Sequence, residues 1–201
     1  MYPHVFRATI IEGGWHRFIR SVLPIFPSFI QRAVRKVWPR YALPPCVVLK
    51  KLRDPFVDRK DLVSKKREFE NEKAMYQELQ CLQEIRIPTL YGEGRCDGKR
   101  TLVLSYIAGG TLRQQSPPRL TVEEFEQRLR PAVEDIANFG LGYDDIRLSN
   151  ILLVDARIAF IDLECVCRVK PVHLELNTKC TIGEFVDRYK DYLPHADDEW
   201  S

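Results

Sequence analysis

The sequence predicts a mixed α+β fold, on three observations. Short runs rich in β-branched and apolar residues recur at 46–52, 101–107 and 151–161, the length and composition of strands. A stretch from Lys65 to Gln83 places apolar residues at helical spacing. A second stretch, Thr121 to Phe139, carries both a helix start signal and a stop signal. The 201 residues, 45% apolar and 29% charged, suffice for one good core or two small lobes and have the balance of an ordinary soluble protein.

Taken in chain order, the first 45 residues form a basic segment punctuated by prolines. Residues 1–53 hold ten Lys or Arg against the single acid Glu12, so this part is +9 while the remainder is −6. With Phe18, Ile19, Val22, Leu23, Ile25, Phe26, Phe29 and Ile30 among its residues, the segment 1–40 suits an anionic membrane surface, an acidic partner or a transit function. A helix packed on the body with its basic face in water suits it equally. Arg20, Pro24 and Pro27 interrupt the apolar run, which is too short to span a bilayer.

Cys46-Val47-Val48-Leu49-Lys50-Lys51-Leu52 is a strand by its β-branched content. Alternation sends Lys50 and Lys51 to opposite faces, so only one of them can enter a cleft. In the helix 65–83, Phe69, Glu72, Met75, Tyr76, Leu79 and Leu82 share one stripe, which sets Glu72 among apolar neighbours. Glu68, Glu70 and Glu78 fall to the solvated side with the lysines. The strand 101–107 runs into Ala108-Gly109-Gly110-Thr111-Leu112, a glycine turn.

The helix 121–139 has Thr121 as N-cap, Glu124 completing a capping box and Gly140 past its end. Pro131 lies inside it, which predicts a break near Arg130. Ile151–Val154 and Ile158–Ile161 flank Asp155-Ala156-Arg157, the pattern of a hairpin. Thr181 to Tyr192 has Ile182, Phe185, Tyr189 and Tyr192 at helical spacing, and Asp197-Asp198-Glu199 forms a frayed acidic end. The six cysteines form no C-x-x-C pair, and the four histidines are scattered. That pattern points to reduced thiols in a cytosolic, cytoplasmic protein, with Cys46 and Cys81 as small buried hydrophobes, and away from zinc.

The residues with the most chemistry are Tyr143-Asp144-Asp145-Ile146-Arg147-Leu148-Ser149-Asn150 and Ile161-Asp162-Leu163-Glu164. An acid five residues before an Asn, and a second acid twelve beyond it, combine a hydroxyl-orienting carboxylate with hard oxygen ligands. The hairpin between them would carry Asn150 back towards Asp162. With the strand ending in Lys50, the helix Asn71-Glu72-Lys73-Ala74-Met75-Tyr76 and the strand leading to a glycine turn, all in the expected order, the chain resembles the protein-kinase-like superfamily.

The resemblance implies a two-lobe fold with an incomplete N-lobe at 46–107 and a shortened helical C-lobe at 108–201, after the segment 1–45. It implies binding of ATP and Mg²⁺ and transfer of the γ-phosphate to an unknown acceptor, a hydroxyl of a protein or small molecule, with no nucleic acid expected. In it, Asp145, Arg147 and Asn150 are the catalytic-loop residues and Asn150 and Asp162 the metal ligands. Lys50 contacts phosphate with Glu72 as its partner, and Ser105, Tyr106 and Ile107 form the adenine hinge. Several positions depart from the pattern. No glycine-rich loop precedes Lys50, Gly13-Gly14 being thirty-six residues away with prolines between that speak against a strand pair. Tyr143 replaces a His and Asp144 an Arg, and Glu164 replaces the Gly of D-F-G, a variation that resembles the aminoglycoside and choline phosphotransferase branch. No A-P-E follows, and thirty-nine residues remain after Asp162. These departures support a second reading, a pseudokinase acting as an interaction module.

Overall fold

The computed structural model describes residues 4–10, 14–27, 34, 43–54, 59–115 and 119–195. The chain divides into two compact units, one from 1–66 with 89–106 and the other from 67–88 with 107–201. No helix among the described residues is long and apolar enough to cross a membrane.

The first unit is built on an antiparallel four-stranded sheet in the order β1-β2-β4-β3, with β1 at Val5–Thr9, β2 at Cys46–Lys51, β3 at Leu90–Cys96 and β4 at Lys99–Ser105. The β-branched run that predicts β2 makes it a central strand, pairing Thr9↔Cys46 on one side and Lys50↔Leu102 on the other. Contrary to expectation, the prolines do not exclude a strand pair before Lys50. The pair forms, but its first strand precedes Gly13-Gly14, and the long connection includes the helix α1 at Gly14–Val22. An antiparallel pair fixes only the ladder, so a long excursion between its strands is allowed at modest closure entropy. Gly13, Phe29, Ile30 and the acidic end 197–199 lie outside the described residues.

β3 and β4 are joined through Asp97 and Gly98, both with positive φ, at 51° and 76°. That is the backbone of a tight hairpin turn matched to strand twist. Within β3 the register shifts between Leu90 and Gly92, and Gly92 has φ 148°, a bulge position that glycine tolerates.

A second helix, α2, runs from Arg59 to Glu78 and is followed by a 3₁₀ turn at Gln80–Leu82. Its buried face is the predicted stripe: Phe69, Glu72, Met75 and Tyr76, continued by Leu79. Cys81 is exposed in the 3₁₀ turn, and Cys46 is half-buried where β2 opens and takes a hydrogen bond from Arg7 Nε at 3.0 Å. Neither is the buried hydrophobe expected, because both sit at element ends rather than on a packed face.

In the second unit, α3 at Val122–Ala137 and α4 at Pro171–Tyr192 pack on two small sheets. One sheet has the order β5-β7-β8, with β5 at Gly110–Thr111, β7 at Ile151–Val154 and β8 at Arg157–Phe160. The other pairs β6 at Leu141–Tyr143 with β9 at Val166–Arg168. Phe125, Leu129, Val133 and Ile136 of α3 and Ile182, Phe185 and Tyr189 of α4 are buried together with Ile151, Ile158 and Phe160. The Phe125 and Tyr189 rings lie 4.3 Å apart, and Tyr189 Oη donates to the Leu120 carbonyl at 2.9 Å.

The capping box of α3 is present in both directions, with Glu124 N donating to Thr121 Oγ1 at 3.2 Å and Thr121 N to Glu124 Oε2 at 2.8 Å. Gly140 follows the helix at φ 71°, the left-handed position that ends a helix. The predicted break at Pro131 does not occur, and α3 continues through it. Pro131 and Gln127, whose carbonyl loses its partner, are both exposed, so that carbonyl is open to solvent and the missing hydrogen bond is not a buried loss. α4 begins ten residues before the expected Thr181. Pro171 sits at a helix start that suits proline, and the apolar residues of the first turns, Val172 and Leu176, are exposed, so no buried stripe marked them.

Candidate functional site

Within the second unit the sequence motif folds as a loop between two strand pairs. β6 ends at Tyr143, and a 3₁₀ turn at Leu148–Asn150 leads into β7. Tyr143 is core material, its ring 4.4 Å from Phe160 and 6.0 Å from Phe185. The residue standing where the pattern has histidine therefore packs rather than reaches out. After it, Asp144 is exposed and Asp145 half-buried. Leu148 and Asn150, 6% and 2% exposed, turn inward with Ile146, so the loop is pinned by alternate apolar anchors.

Asn150 Nδ2 donates to Asp145 Oδ2 at 2.7 Å, and Arg147 Nε pairs with Asp145 Oδ1 at 2.9 Å. Both oxygens of Asp145 are thus oriented by neighbours two and five residues along the chain, which fixes the carboxylate plane. With its amide nitrogen on Asp145, Asn150 turns its amide oxygen the other way. Its backbone carbonyl accepts from Ile161 N at 3.0 Å, because the β7–β8 hairpin pairs Ile151 with Phe160 around a tight turn containing Asp155 at φ 53°. The hairpin therefore brings the residue before Asp162 against Asn150.

Asp162 Oδ1 accepts from Glu164 N at 3.1 Å, a local turn that holds its side chain. Glu72, Asp162 and Glu164 each bring a carboxylate oxygen to within 4.8 Å of the others, with Glu72 fully buried and the two others half-buried. The Asn71 side chain donates from Nδ2 to the Glu164 carbonyl at 3.0 Å and the Val166 carbonyl at 2.9 Å. This clamp from α2 holds the Asp162–Glu164 turn. Sequence reasoning missed Asn71, since an Asn inside a charged helix carries no distinguishing signal.

The field of these acids is felt by two buried phenols. Burial, then the Glu72 carboxylate, hold the Tyr76 hydroxyl well above the ordinary tyrosine range, and burial followed by Asp162 does the same for Tyr143. Cys165 is raised by burial and by Asp145. Cys167, whose thiol donates to Asp144 Oδ2 at 3.2 Å, is pushed up to about 11, by burial first and then that hydrogen bond. Both are therefore protonated thiols at neutral pH and poor nucleophiles.

The remaining predicted residues lie as follows. Lys50 is 4% exposed on β2 of the first unit. Lys51 points to the opposite face, where it pairs with Asp97 and sits 4.5 Å from the centre of the Phe6 ring. Ser105 closes β4, its Oγ accepting from Thr89 N at 2.8 Å, and the Arg7 guanidinium lies 4.3 Å from the centre of the Tyr106 ring. Ile107 belongs to the second unit and is half-buried.

No protein-family model matches the sequence, and no curated protein does. Among solved structures, the chain is similar to WbdD in a 2.2 Å crystal structure, with a TM-score of 0.51 and 16% identity over 69% of this chain. The same holds for a co-crystal of WbdD with the kinase inhibitor LY294002, at 0.51 and 17%, and for a structure described as the bifunctional kinase-methyltransferase WbdD, at 0.51 and 16%. The chain spans about a third of the length of these proteins, 33%, 33% and 32%. At such identity the likeness is one of fold, shared with a protein that has a kinase activity.

Proposed function

We propose that the chain is a kinase-like phosphotransferase that moves the γ-phosphate of ATP to a hydroxyl of a small molecule or protein. The observation that carries this reading is the hydrogen bond from Asn150 to Asp145 at 2.7 Å, on a loop whose hairpin returns the chain to Asp162. In this reading Asp145 orients the acceptor hydroxyl and takes its proton. Arg147 and Asn150 hold the carboxylate in place. The Asn150 amide oxygen and the carboxylates of Asp162 and Glu164 are hard oxygen donors that fit Mg²⁺. Lys50 and the backbone of Ser105, Tyr106 and Ile107 are assigned to the nucleotide by the resemblance. The Mg-nucleotide supplies the phosphoryl group and the charge that offsets its oxygens.

Thermal unfolding with ATP, with and without Mg²⁺, tests this. Nucleotide at about a hundred times its dissociation constant should stabilise the native protein by about 2.7 kcal/mol, and Asp162→Ala should abolish the Mg-dependent part of the shift. Asp145→Asn should retain the shift and lower γ-phosphate transfer by at least about a hundredfold. A shift of equal size in Asp162→Ala would sink the metal assignment.

A second reading has its own support, since both Asp145 oxygens are engaged by Asn150 and Arg147. There the loop is a structural knot in a pseudokinase that acts as an interaction module. Sustained transfer of labelled γ-phosphate that depends on Asp145 rules it out.

A further inference from the structure

A cleft of about 450 Å³ lies in the second unit beside the loop just described, lined by Arg147, Leu148, Ser149, Arg188, Asp191, Tyr192 and His195. Its wall is made by one side of the 3₁₀ turn at Leu148–Asn150 and by the C-terminal end of α4 with the turn that follows. The size is that of a site for a small molecule. Among the described residues its charged lining is the Arg147 and Arg188 guanidiniums, the His195 imidazole and the Asp191 carboxylate, and Arg147 is also paired with Asp145. Arg188 is exposed, and no carboxylate pairs with it among the described residues.

Arg147 connects the cleft with Asp145, because its Nε is 2.9 Å from Asp145 Oδ1 while its side chain also lines the cavity. A molecule seated against Arg147 meets a guanidinium that is itself paired with Asp145, the carboxylate that orients the acceptor hydroxyl in the proposed reading. Guanidinium groups bind phosphate and carboxylate through paired N–H donors, and Ser149 and Tyr192 add polar lining suited to hydroxyls. We infer that this cleft is the acceptor site and that its ligand is a small anionic alcohol, a phosphorylated polyol or sugar, held through its phosphate by Arg147 and Arg188. The inference rests on the phosphotransferase reading for the reaction but not for the binding. In the transfer, the acceptor hydroxyl gives its proton to Asp145, its oxygen bonds to the γ-phosphorus, and the bond from that phosphorus to ADP breaks.

Calorimetric titration of the full chain in the absence of nucleotide tests the site with two matched pairs, ribose 5-phosphate against ribose and glycerol 3-phosphate against glycerol. At least one phosphorylated member should bind while its neutral counterpart does not. Arg188→Glu should weaken that binding by roughly ten- to a hundredfold, and Arg188→Lys should recover part of it. Because Arg188 is exposed, circular dichroism should show both variants folded. Absence of heat from both phosphates at 10 mM, or binding unaffected by Arg188→Glu in a folded variant, overturns the proposal. Binding as expected with no transfer from Mg-ATP to the bound alcohol leaves the anion cleft in place and counts against the phosphotransferase reading instead.

Discussion

Tyr76 illustrates how much a single side chain reports about this site. Four residues after Glu72 on α2 and fully buried, it holds a hydroxyl that makes no hydrogen bond among the described residues, in the field of Glu72, Asp162 and Glu164. A buried polar group without a partner costs desolvation energy that its removal returns. Tyr76→Phe should therefore be neutral or stabilising by up to about 1 kcal/mol, read as a higher urea midpoint at unchanged slope. A clear loss of stability would show that the hydroxyl is held in solution. At the same scale the two lysines of β2 show what sequence can and cannot give. Alternation established that Lys50 and Lys51 face opposite ways, but not which one meets Asp97, which lies on another strand's turn and pairs with Lys51. That Asn150 meets Asp145, and that the residue before Asp162 returns to Asn150, was legible from their spacing around the hairpin. Asn71 was not, since its role lies in two carbonyls more than ninety residues away.

Among the elements, the short strand β6 is the most constrained. It threads between the end of α3 and α4, and Gly142 at its centre has no room for a side chain. A Cβ there would meet Val169 Cγ2 at 2.7 Å and run into Asn177 Oδ1 still more closely. Gly142→Ala should cost about 1–3 kcal/mol by forcing β6 away from α4, and the displacement passes directly to Asp144 and Asp145. Urea unfolding measures the cost. Helices with strong local codes were read well: the capping box at Thr121, the glycine stop at Gly140 and the buried stripe of α2 follow from nearest-neighbour chemistry. The elements missed are those whose stability is non-local. β3 contains two glycines and reads as loop, with only Asp97-Gly98 as a hairpin cue, while β6 and β9 are three residues each and exist because they pair across more than twenty residues. Pro131 was misjudged because a sequence does not say which carbonyl faces water.

At the level of the whole molecule, the amino-terminal residues belong to the sheet. β1 makes five cross-strand pairs with β2, so the basic segment contributes structure as well as charge. Deleting residues 1–10 should remove roughly 1–5 kcal/mol of stability and expose the β2 edge to intermolecular pairing. Differential scanning calorimetry combined with light scattering would detect both. A deletion of residues 1–40, the obvious test for membrane attachment, would confound lost charge with a lost strand, so charge reversal at Arg17 is the cleaner variant. The mixed fold with antiparallel sheets was foreseeable from composition and period. That residues 67–88 group with the second unit while 89–106 return to the first was not, because pairing of β2 with β4 is decided by tertiary contacts that no local window contains.

That sheet order has a consequence for biosynthesis. The central pair, β2 with β4, joins residues such as Val47 and Ser105, with α2 and β3 intervening in the chain. On a translating ribosome, β1 and β2 emerge and wait, two strands with an open edge, until Ser105 has left the exit tunnel. The β7–β8 hairpin, by contrast, closes within ten residues of its own start. The nascent chain thus carries an unpaired, valine-rich edge through about fifty residues of elongation, or some 3–10 seconds at ordinary synthesis rates. This interval is when a holding chaperone would matter most to the protein's yield.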